Sequence, residues 1–244
     1  WGESSDTYLG RIETAAIASL MKSRSDVMKA VDAILDGKYK MNESFVDDSS
    51  ATPWMKRAKH MEKHRKQVDL LLSGSYSDRM MHESLAKLRK LQNSDGSVSW
   101  FKKMEGSEWM TVAVADKLGR MVPMGLLNPA QEDVSALCAG ATRFMDKCIM
   151  KECQEIRKRV KEDEKYEPYI GAFMLDELYA RALMPSKLSV DAKYLIDIVR
   201  KSAQRSMDES YRIQADNLMV HVGAKKEDEM IVRSLVENLQ HPRT

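Results

Sequence analysis

Apolar residues recur along this chain three and four positions apart, and strand-like alternation is nearly absent. Such spacing is typical of amphipathic helices. Ser, Thr or Asp opens many of the periodic segments and Gly follows several, as expected at the two ends of helices. The pattern predicts an all-α protein of about ten helices joined by short connections. The helices are predicted at residues 4–22, 25–37, 52–74, 77–96, 107–122, 129–163, 168–183, 189–206, 208–223 and 225–240.

The polarity of these segments divides them into two kinds. The helix predicted at 107–122 is apolar on nearly all sides, as an inner helix would be, whereas 52–74 is polar on most faces until Val68. Segments 115–133 and 215–228 form a weak internal repeat. Each has Ala-Asp-x-Leu, then a Gly turn and then a helix that begins with acidic residues. Alternating inner and outer helices favour helical hairpins in two layers, as in a helical barrel or a solenoid.

Composition and charge exclude several classes of protein. The chain has 244 residues, of which 43% are apolar and 31% charged, with a formal net charge of +2. The near balance of charge argues against a nucleic-acid partner, and no apolar run is long enough to span a membrane. The chain opens at Trp1 without an initiator Met or a signal peptide, so we expect a processed chain or a piece of a longer protein.

Candidate metal ligands are few in the sequence. His60 and His64 lie on one predicted helix face with Glu62 between them, but a zincin motif needs the Glu directly after the first His. A solvated helix face is the favoured interpretation. No Gly-rich phosphate loop or catalytic triad order is present either. We therefore predict no catalytic residue, no metal site and no cofactor, and we expect that the chain is not an enzyme.

The cysteines, Cys138, Cys148 and Cys153, all fall in the helix predicted at 129–163. At 1.5 Å of rise per residue, the two nearest lie about 7.5 Å apart along the axis, beyond the reach of a disulfide. We expect buried or partly buried thiols that do not pair with one another.

The segment 91–111 departs from the helical pattern. Asp95-Gly96 is a strong turn signal, and Trp100, Phe101 and Trp109 follow in a chain that has only four Trp and four Phe. We predict that the loop folds back and that Trp100 and Phe101, mostly buried, fill one end of the helical core. An aromatic platform for a ligand is the less favoured alternative.

The same segment resembles a known family. LRKLQNSDGSVSWF (88–101) followed by SEWMTVAVADKLGRM (107–121) is similar to a pattern of leucine, Gln, two residues, Asp-Gly, Trp-Phe, then Thr and leucine. That pattern belongs to the thioester-type helical domain of bacterial alpha-2-macroglobulin-like proteins.

Two further segments support the resemblance. ATPWMKRA (51–58), which contains Pro53 and Trp54, resembles the Thr-Pro-Trp turn found ahead of the pattern, notably in Bacteroides-type members. LDELYARALMP (175–185) resembles a Tyr-Ala-Arg helix further along the family domain. Order and spacing agree from about residue 38 onward.

The resemblance implies an α/α toroid, the fold shared with terpenoid cyclases and protein prenyltransferases. It also implies a large parent protein that traps proteases and is periplasmic, lipid-anchored at the outer membrane or secreted. Proteases, reached through the parent, and other domains of the parent would be the partners. Residues 1–37 would form an N-terminal helical hairpin and 38–244 the toroid fragment, together a single domain. On family lengths Thr244 precedes closure of the barrel, which implies an incomplete toroid.

The chain departs from the family at one chemical position. Thioester-bearing members carry Cys-x-Glu-Gln, whereas Cys153-Gln154-Glu155 is followed by Ile156 and lies after the aromatic segment. We therefore predict no thioester and a non-catalytic, endopeptidase-inhibitor role through the parent. Two alternatives stay open. An α/α-toroid enzyme acting on glycans or isoprenoids would need an acid pair or metal ligands, and a TPR- or HEAT-like scaffold would need a regular repeat.

Overall fold

The computed structural model describes residues 3–36, 63–64, 66–72 and 74–223. Within these ranges the chain is mostly helical, which confirms the all-α prediction. The elements are α1 Ser5–Ser23, α2 Ser25–Asp36, α3 Gly74–Arg89, β1 Val98–Ser99, β2 Gly106–Ser107, α4 Glu108–Met121, α5 Glu132–Glu162, α6 Ala172–Ala182, α7 Val190–Arg205 and α8 Glu209–Val222. Residues 66–72 are helical as well.

The helix predicted at 225–240 and most of the one predicted at 52–74 lie outside the described residues. Most of the other predicted helices lie close to the observed bounds, but the one predicted at 77–96 ends at Arg89. The reason is local, because the chain turns after Arg89 and then enters an antiparallel hairpin of two short strands. In the hairpin, Val98 pairs with Ser107 and Ser99 with Gly106. None of the helices in the described part of the chain is long and apolar enough to cross a membrane.

Side-chain caps begin several helices where the sequence predicts them. The hydroxyls of Ser107 and Ser189 accept hydrogen bonds from backbone N–H groups of the first turns of α4 and α7. The carboxylate of Asp208 does the same for α8. Each such cap is worth about 1 kcal/mol. After α4 and α8 the chain turns at Gly125 and Gly223, both with positive φ, as the Gly turns of the internal repeat suggest.

The chain divides into two compact units. One comprises Thr7–Lys87, and the other comprises Trp1–Asp6 with Leu88–Thr244. In the first unit, Leu9, Ile12 and Leu85 are buried. There the Lys22 ammonium donates a hydrogen bond to the Ser77 hydroxyl over 2.6 Å. The predicted boundary between residues 37 and 38 lies outside the described residues and stays a prediction.

The second unit carries the larger core and every site discussed below. Helix α4 packs against α5 and α6, α5 packs against α7, and α6 packs against α8. The core between α5 and α8 includes Ile149, Leu178 and Val199, all fully buried. Helix α4 buries Met110 and Leu118, as an inner helix should. It is not buried on every side, however, because Trp109 is 54% exposed.

Arg181, the arginine of the Tyr-Ala-Arg segment, is buried and has a hydrogen-bond partner on each guanidinium nitrogen. Its Nε donates to Asp146 Oδ1 over 2.9 Å. Its Nη atoms donate to the backbone carbonyls of Ser186 and Lys187. A buried Arg with this many hydrogen bonds ties α5 to the loop after α6, so its role is structural.

Candidate functional site

The turn at Asp95-Gly96 forms as predicted. Asp95 Oδ1 accepts hydrogen bonds from the Ser97 backbone N–H, over 3.0 Å, and from the Ser97 hydroxyl, over 2.7 Å. These bonds stabilise the carboxylate and lower the pKa of Asp95. Gly96 has a φ of 97°, a region that favours glycine, and its N–H donates to the Asn93 carbonyl. The turn is therefore held by its own polar side chains.

The turn also docks on α5. A Cβ atom built on Gly96 would lie 2.0 Å from the carbonyl oxygen of Gly140, so only glycine fits there. One built on Gly140 would lie 2.2 Å from Gln92 Nε2. The Gln92 amide bridges the two elements, donating to the Gly96 carbonyl over 3.1 Å and to the Leu137 carbonyl over 3.0 Å. Gln92 and the two glycines together fix the loop against the helix.

The residue that fills the core beneath the hairpin is Val98, which is fully buried. Its N–H donates to the Thr111 hydroxyl over 2.8 Å, and that hydroxyl donates to the Ser107 carbonyl over 2.7 Å. On the other strand edge the Ser5 hydroxyl donates to the Ser99 carbonyl over 2.6 Å. The backbone of the short hairpin thus has side-chain partners from both α4 and α1.

The aromatic residues Trp100 and Phe101 are partly buried, with most of each residue covered, as predicted. Trp100 stacks on the exposed Trp109 with ring centroids 5.4 Å apart and planes 9° apart. Neither ring is fully buried, whereas Val98 in β1 is. Strand β1 ends at Ser99, and the chain bends at Trp100.

A groove opens between α4 and α6 with a volume of about 240 Å³. Within it the Arg120 guanidinium lies 5.0 Å from the centre of the Tyr179 ring and donates from Nε to Asp116 Oδ1 over 2.9 Å. The pKa of Asp176 is raised, first by burial and second by the charge of Asp116. The groove is lined by Trp109, Val112, Ala113, Asp116, Arg120, Phe173, Asp176 and Tyr179.

This lining combines aromatic faces with two neighbouring carboxylates and one cation. Aromatic rings and carboxylates are suited to a cationic ligand or to the faces and hydroxyls of a sugar. Asp116 and Asp176 both line the groove, and the charge of Asp116 is felt at Asp176. The two aspartates lie on different helices, and nothing in their sequence spacing indicates that they share one groove.

A second polar cluster, formed by residues of α4, α5 and α6, is partly inside the protein. Glu108 on α4 is exposed, Cys148 on α5 is partly buried, and Glu177 on α6 is fully buried. Their potential ligand atoms all lie within 4.8 Å of one another. No hydrogen bond of normal geometry reaches either carboxylate oxygen of Glu177 within the described part of the chain, although Glu108 and Cys148 lie close enough to shift its pKa. Burying a carboxylate without such a hydrogen bond is costly, so the cluster is a candidate functional site.

The electrostatics of the cluster favour protonation. Burial raises the pKa of Glu177 to about 8, and the negative charge of Glu108 adds to the effect. Burial likewise raises the pKa of the Cys148 thiol to about 12, with the charges of Glu177 and Glu108 as the next causes. At neutral pH the isolated cluster therefore holds a proton on Glu177 and one on Cys148. A cation that replaced these protons would find three ligand atoms.

The structure gathers some of the residues singled out in the sequence and leaves others outside its described part. Trp100 and Trp109 stack on each other, and Asp95 and Gly96 form the turn that packs on α5. Phe101, next to Trp100 in the chain, is partly buried. The remaining motif residues, Pro53 and Trp54, lie outside the described residues, as does His60. The other candidate histidine, His64, is exposed.

The three cysteines lie in α5 and form no disulfide, as predicted. The Cys153 thiol donates to Asp191 Oδ1 over 3.3 Å, while the neighbouring Gln154 is exposed. Burial and this hydrogen bond raise the pKa of Cys153 to about 11.

Sequence reasoning missed the cluster of Glu108, Cys148 and Glu177. One signal was available, because Glu177 lies between Leu175 and Leu178 and interrupts the buried stripe of its helix. A carboxylate in such a stripe indicates either a paired charge or a ligand.

Comparison with known proteins gives no match, since no family model, no curated protein and no solved structure is significantly similar to the chain.

Proposed function

We propose that this chain is a non-catalytic helical domain of an alpha-2-macroglobulin-like protein, that its hairpins belong to a two-layered, incomplete α/α toroid, and that the parent traps proteases. The observation that carries the proposal is the loop formed by Gln92, Asp95 and Gly96. It is fastened to α5 at Gly140 by hydrogen bonds and close backbone contact. The polar residues of the family-like segment are thus used for folding, as expected of a structural domain.

The motif positions support the proposal as a group. Leu91 is buried, Gln92 bridges the loop to α5, and Asp95-Gly96 makes the turn. Thr111 accepts the Val98 N–H, and Leu118 is fully buried further along the same helix. The Gln, Asp-Gly and Thr of the pattern therefore all make hydrogen bonds or turns within the fold. This supports a resemblance in which these residues are shared because they build the same fold, and not because they carry out a reaction.

The thiol chemistry agrees with a chain that lacks a thioester. An internal thioester joins a Cys to a nearby Gln side chain, and Cys153 instead donates to Asp191. Cys138 is buried with a pKa raised to about 11 by burial, which disfavours the reactive thiolate. Protease capture would then be a property of the parent, through shape change and contacts among its domains, in the periplasm, at the outer membrane or after secretion.

The proposal is tested with the full natural protein that contains this segment. After mixing with trypsin or elastase, we expect the protein to be cut at limited positions and to retain the protease. The retained protease should cleave small peptides but not large proteins, because a trapped enzyme is shielded only from large substrates. Complete degradation of the protein, with no protease retained on size-exclusion chromatography, would refute the proposal.

A matched pair of variants connects the test to this domain. Gly96→Ala in the full protein should abolish trapping, because the added Cβ meets Gly140. Gly125→Ala, which also has positive φ but has no heavy atom within 4 Å of the added Cβ, should leave trapping largely intact. Equal trapping by both variants would show that the domain does not contribute.

A second candidate function rests on the groove between α4 and α6. Asp116 and Asp176 both line this groove beside aromatic rings, and the charge of Asp116 helps to raise the pKa of Asp176, which favours an α/α-toroid enzyme or binder acting on glycans. Screening the chain against a panel of soluble oligosaccharides would test it. Saturation-transfer NMR that shows binding, lost in Asp176→Asn, would support this candidate, and turnover would make the chain an enzyme.

A further inference from the structure

A buried carboxylate, a thiol and an exposed carboxylate come together from three helices in the second unit. Glu177 is fully buried, and no hydrogen bond of normal geometry reaches either of its carboxylate oxygens among the described residues. The potential ligand atoms of Glu108 and Cys148 lie within 4.8 Å of those of Glu177. A native protein rarely leaves a buried carboxylate without a partner unless a water or an ion supplies one. We propose that Glu108, Cys148 and Glu177 bind a divalent transition-metal cation of the zinc class.

The dimensions of the cluster suit such an ion. Zinc binds thiolate sulfur at about 2.3 Å and carboxylate oxygen at about 2.0–2.2 Å, so tetrahedral ligands lie about 3.5 Å from each other. The observed limit of 4.8 Å requires side-chain movements of about 1 Å at most to reach this geometry. The exposed Glu108 can adjust readily, while Glu177 and Cys148 are held by α6 and α5.

The ligand types indicate the class of metal. Mg²⁺ and Ca²⁺ prefer sites made only of oxygen, and Cu⁺ prefers sites made of sulfur. One thiolate with two carboxylates is a mixed set, which suits borderline ions such as Zn²⁺ or Co²⁺. Three protein ligands leave the fourth position of a tetrahedron to water, on the side where Glu108 is exposed.

The charges around the site add to its attraction for a cation. Glu108 on α4, Glu152 on α5 and Glu177 on α6 are acidic, and Lys151 on α5 is the opposing cation. Because burial raises the pKa of Glu177 to about 8 and that of Cys148 to about 12, a bound metal must displace protons from both at neutral pH. Binding should therefore release protons and become tighter as pH rises.

The site can be tested with the purified chain after removal of metals by a chelator. Isothermal titration with Zn²⁺ should show one ion bound per chain, with a heat that depends on the buffer because protons are released. Co²⁺ should bind with a thiolate-to-cobalt charge-transfer absorption in the near ultraviolet. This absorption band shows that a thiolate is a ligand of the metal, and measuring it does not require any biological activity.

Variants then assign the ligands. Glu177→Gln keeps the shape of the side chain and should weaken Zn²⁺ binding by at least about tenfold, since even outer partners of metal ligands contribute tenfold or more. Cys148→Ser should remove the charge-transfer band. Cys138→Ser, a change at another cysteine of α5 outside the cluster, is the matched control and should change neither result. Far-UV circular dichroism verifies that each variant is folded.

Several outcomes would overturn the proposal. These are the absence of Zn²⁺ binding to the folded chain, equal affinity in wild type and Glu177→Gln, or a charge-transfer band that persists in Cys148→Ser. Zn²⁺ binding that survives Glu177→Gln but disappears in His64→Ala would also overturn the proposal, because the ion would then be bound by His64. The proposal is independent of protease trapping by the parent, so either can fail without the other.

Discussion

Two polar regions lie beside helix α4 in the same compact unit, and they differ in whether their polar groups are hydrogen-bonded. At the hairpin, the polar side chains of Gln92, Asp95 and Thr111 all have hydrogen-bond partners, and the pKa of Asp95 is lowered. At the cluster of Glu108, Cys148 and Glu177, no hydrogen bond of normal geometry reaches the oxygens of Glu177 within the described residues, and the pKa of Glu177 is raised. Satisfied polar groups stabilise a fold, whereas an unsatisfied buried one destabilises it until something binds.

In this helical protein, the segment that is most unusual in sequence is not the one with free bonding capacity. The hairpin stands out in the sequence because of its aromatic rings and its Asp-Gly turn, yet its polar groups form hydrogen bonds that stabilise the fold. The Glu177 cluster is inconspicuous in the sequence, yet it carries the unused bonding capacity. The predictions below test both sides of this contrast.

The largest effect is expected at the turn. Gly96→Ala should destabilise the chain by more than about 3 kcal/mol or prevent folding, because the Cβ overlaps the Gly140 carbonyl and φ is positive. Gly125→Ala should lose only about 1–2 kcal/mol, the strain of a left-handed conformation without a clash. Urea unfolding followed by circular dichroism measures both. Equal losses would show that the turn does not pack tightly on α5.

The next effect concerns pH and Glu177. Its folded-state pKa of about 8 lies above its ordinary value of 4.5, so the folded state holds a proton that the unfolded state has released between these pH values. Stability from this group is therefore full below about pH 4.5 and falls as pH rises to about 8, by up to about 5 kcal/mol.

Glu177→Gln removes this titration. The stability of the variant should therefore depend less on pH than that of wild type, and the variant should be the more stable of the two at pH 8. Unfolding of both proteins in urea, in the presence of a chelator, gives the comparison at each pH. Other carboxyl groups titrate in both proteins and cancel in the difference. A wild type that gains stability relative to the variant between pH 5 and 8 would contradict a buried, unpartnered carboxylate.

A smaller effect separates the core of the hairpin from its rings. Phe101→Ala should cost about 2 kcal/mol, below the 3–5 kcal/mol typical of a fully buried ring, because Phe101 is only partly buried. Val98→Ala should cost a similar amount despite its smaller side chain, because Val98 is fully buried. Chemical unfolding of the two variants decides. A loss below about 1 kcal/mol at Phe101 would favour a ligand platform.

The smallest expected effect is none at all. Methylamine should leave the mass of the chain unchanged, since no thioester is predicted. The thiols should alkylate slowly at pH 7, because burial raises the pKa of all three, and fully once the chain is unfolded. Mass spectrometry measures both reactions. Incorporation of methylamine at Gln154, or at any other Gln, would reveal a thioester and refute that prediction.

Local features of the fold could be predicted from the sequence because neighbouring residues decide them. The caps at Ser107, Ser189 and Asp208 and the turn at Asp95-Gly96 depend on side chains within a few positions of the backbone they bind. Helical periodicity likewise predicted α5, and with it the separation of the cysteines. These features need no knowledge of the rest of the chain.

The tertiary structure alone decided which groups are buried and which meet. Within one short segment, Val98 is fully buried, whereas Trp100 is only partly buried. Glu108, Cys148 and Glu177 lie on three helices, and only the packing of α4, α5 and α6 brings them within reach of one ion. Helical periodicity specifies which face of each helix is apolar, but contact between distant helices depends on how those faces pack against one another.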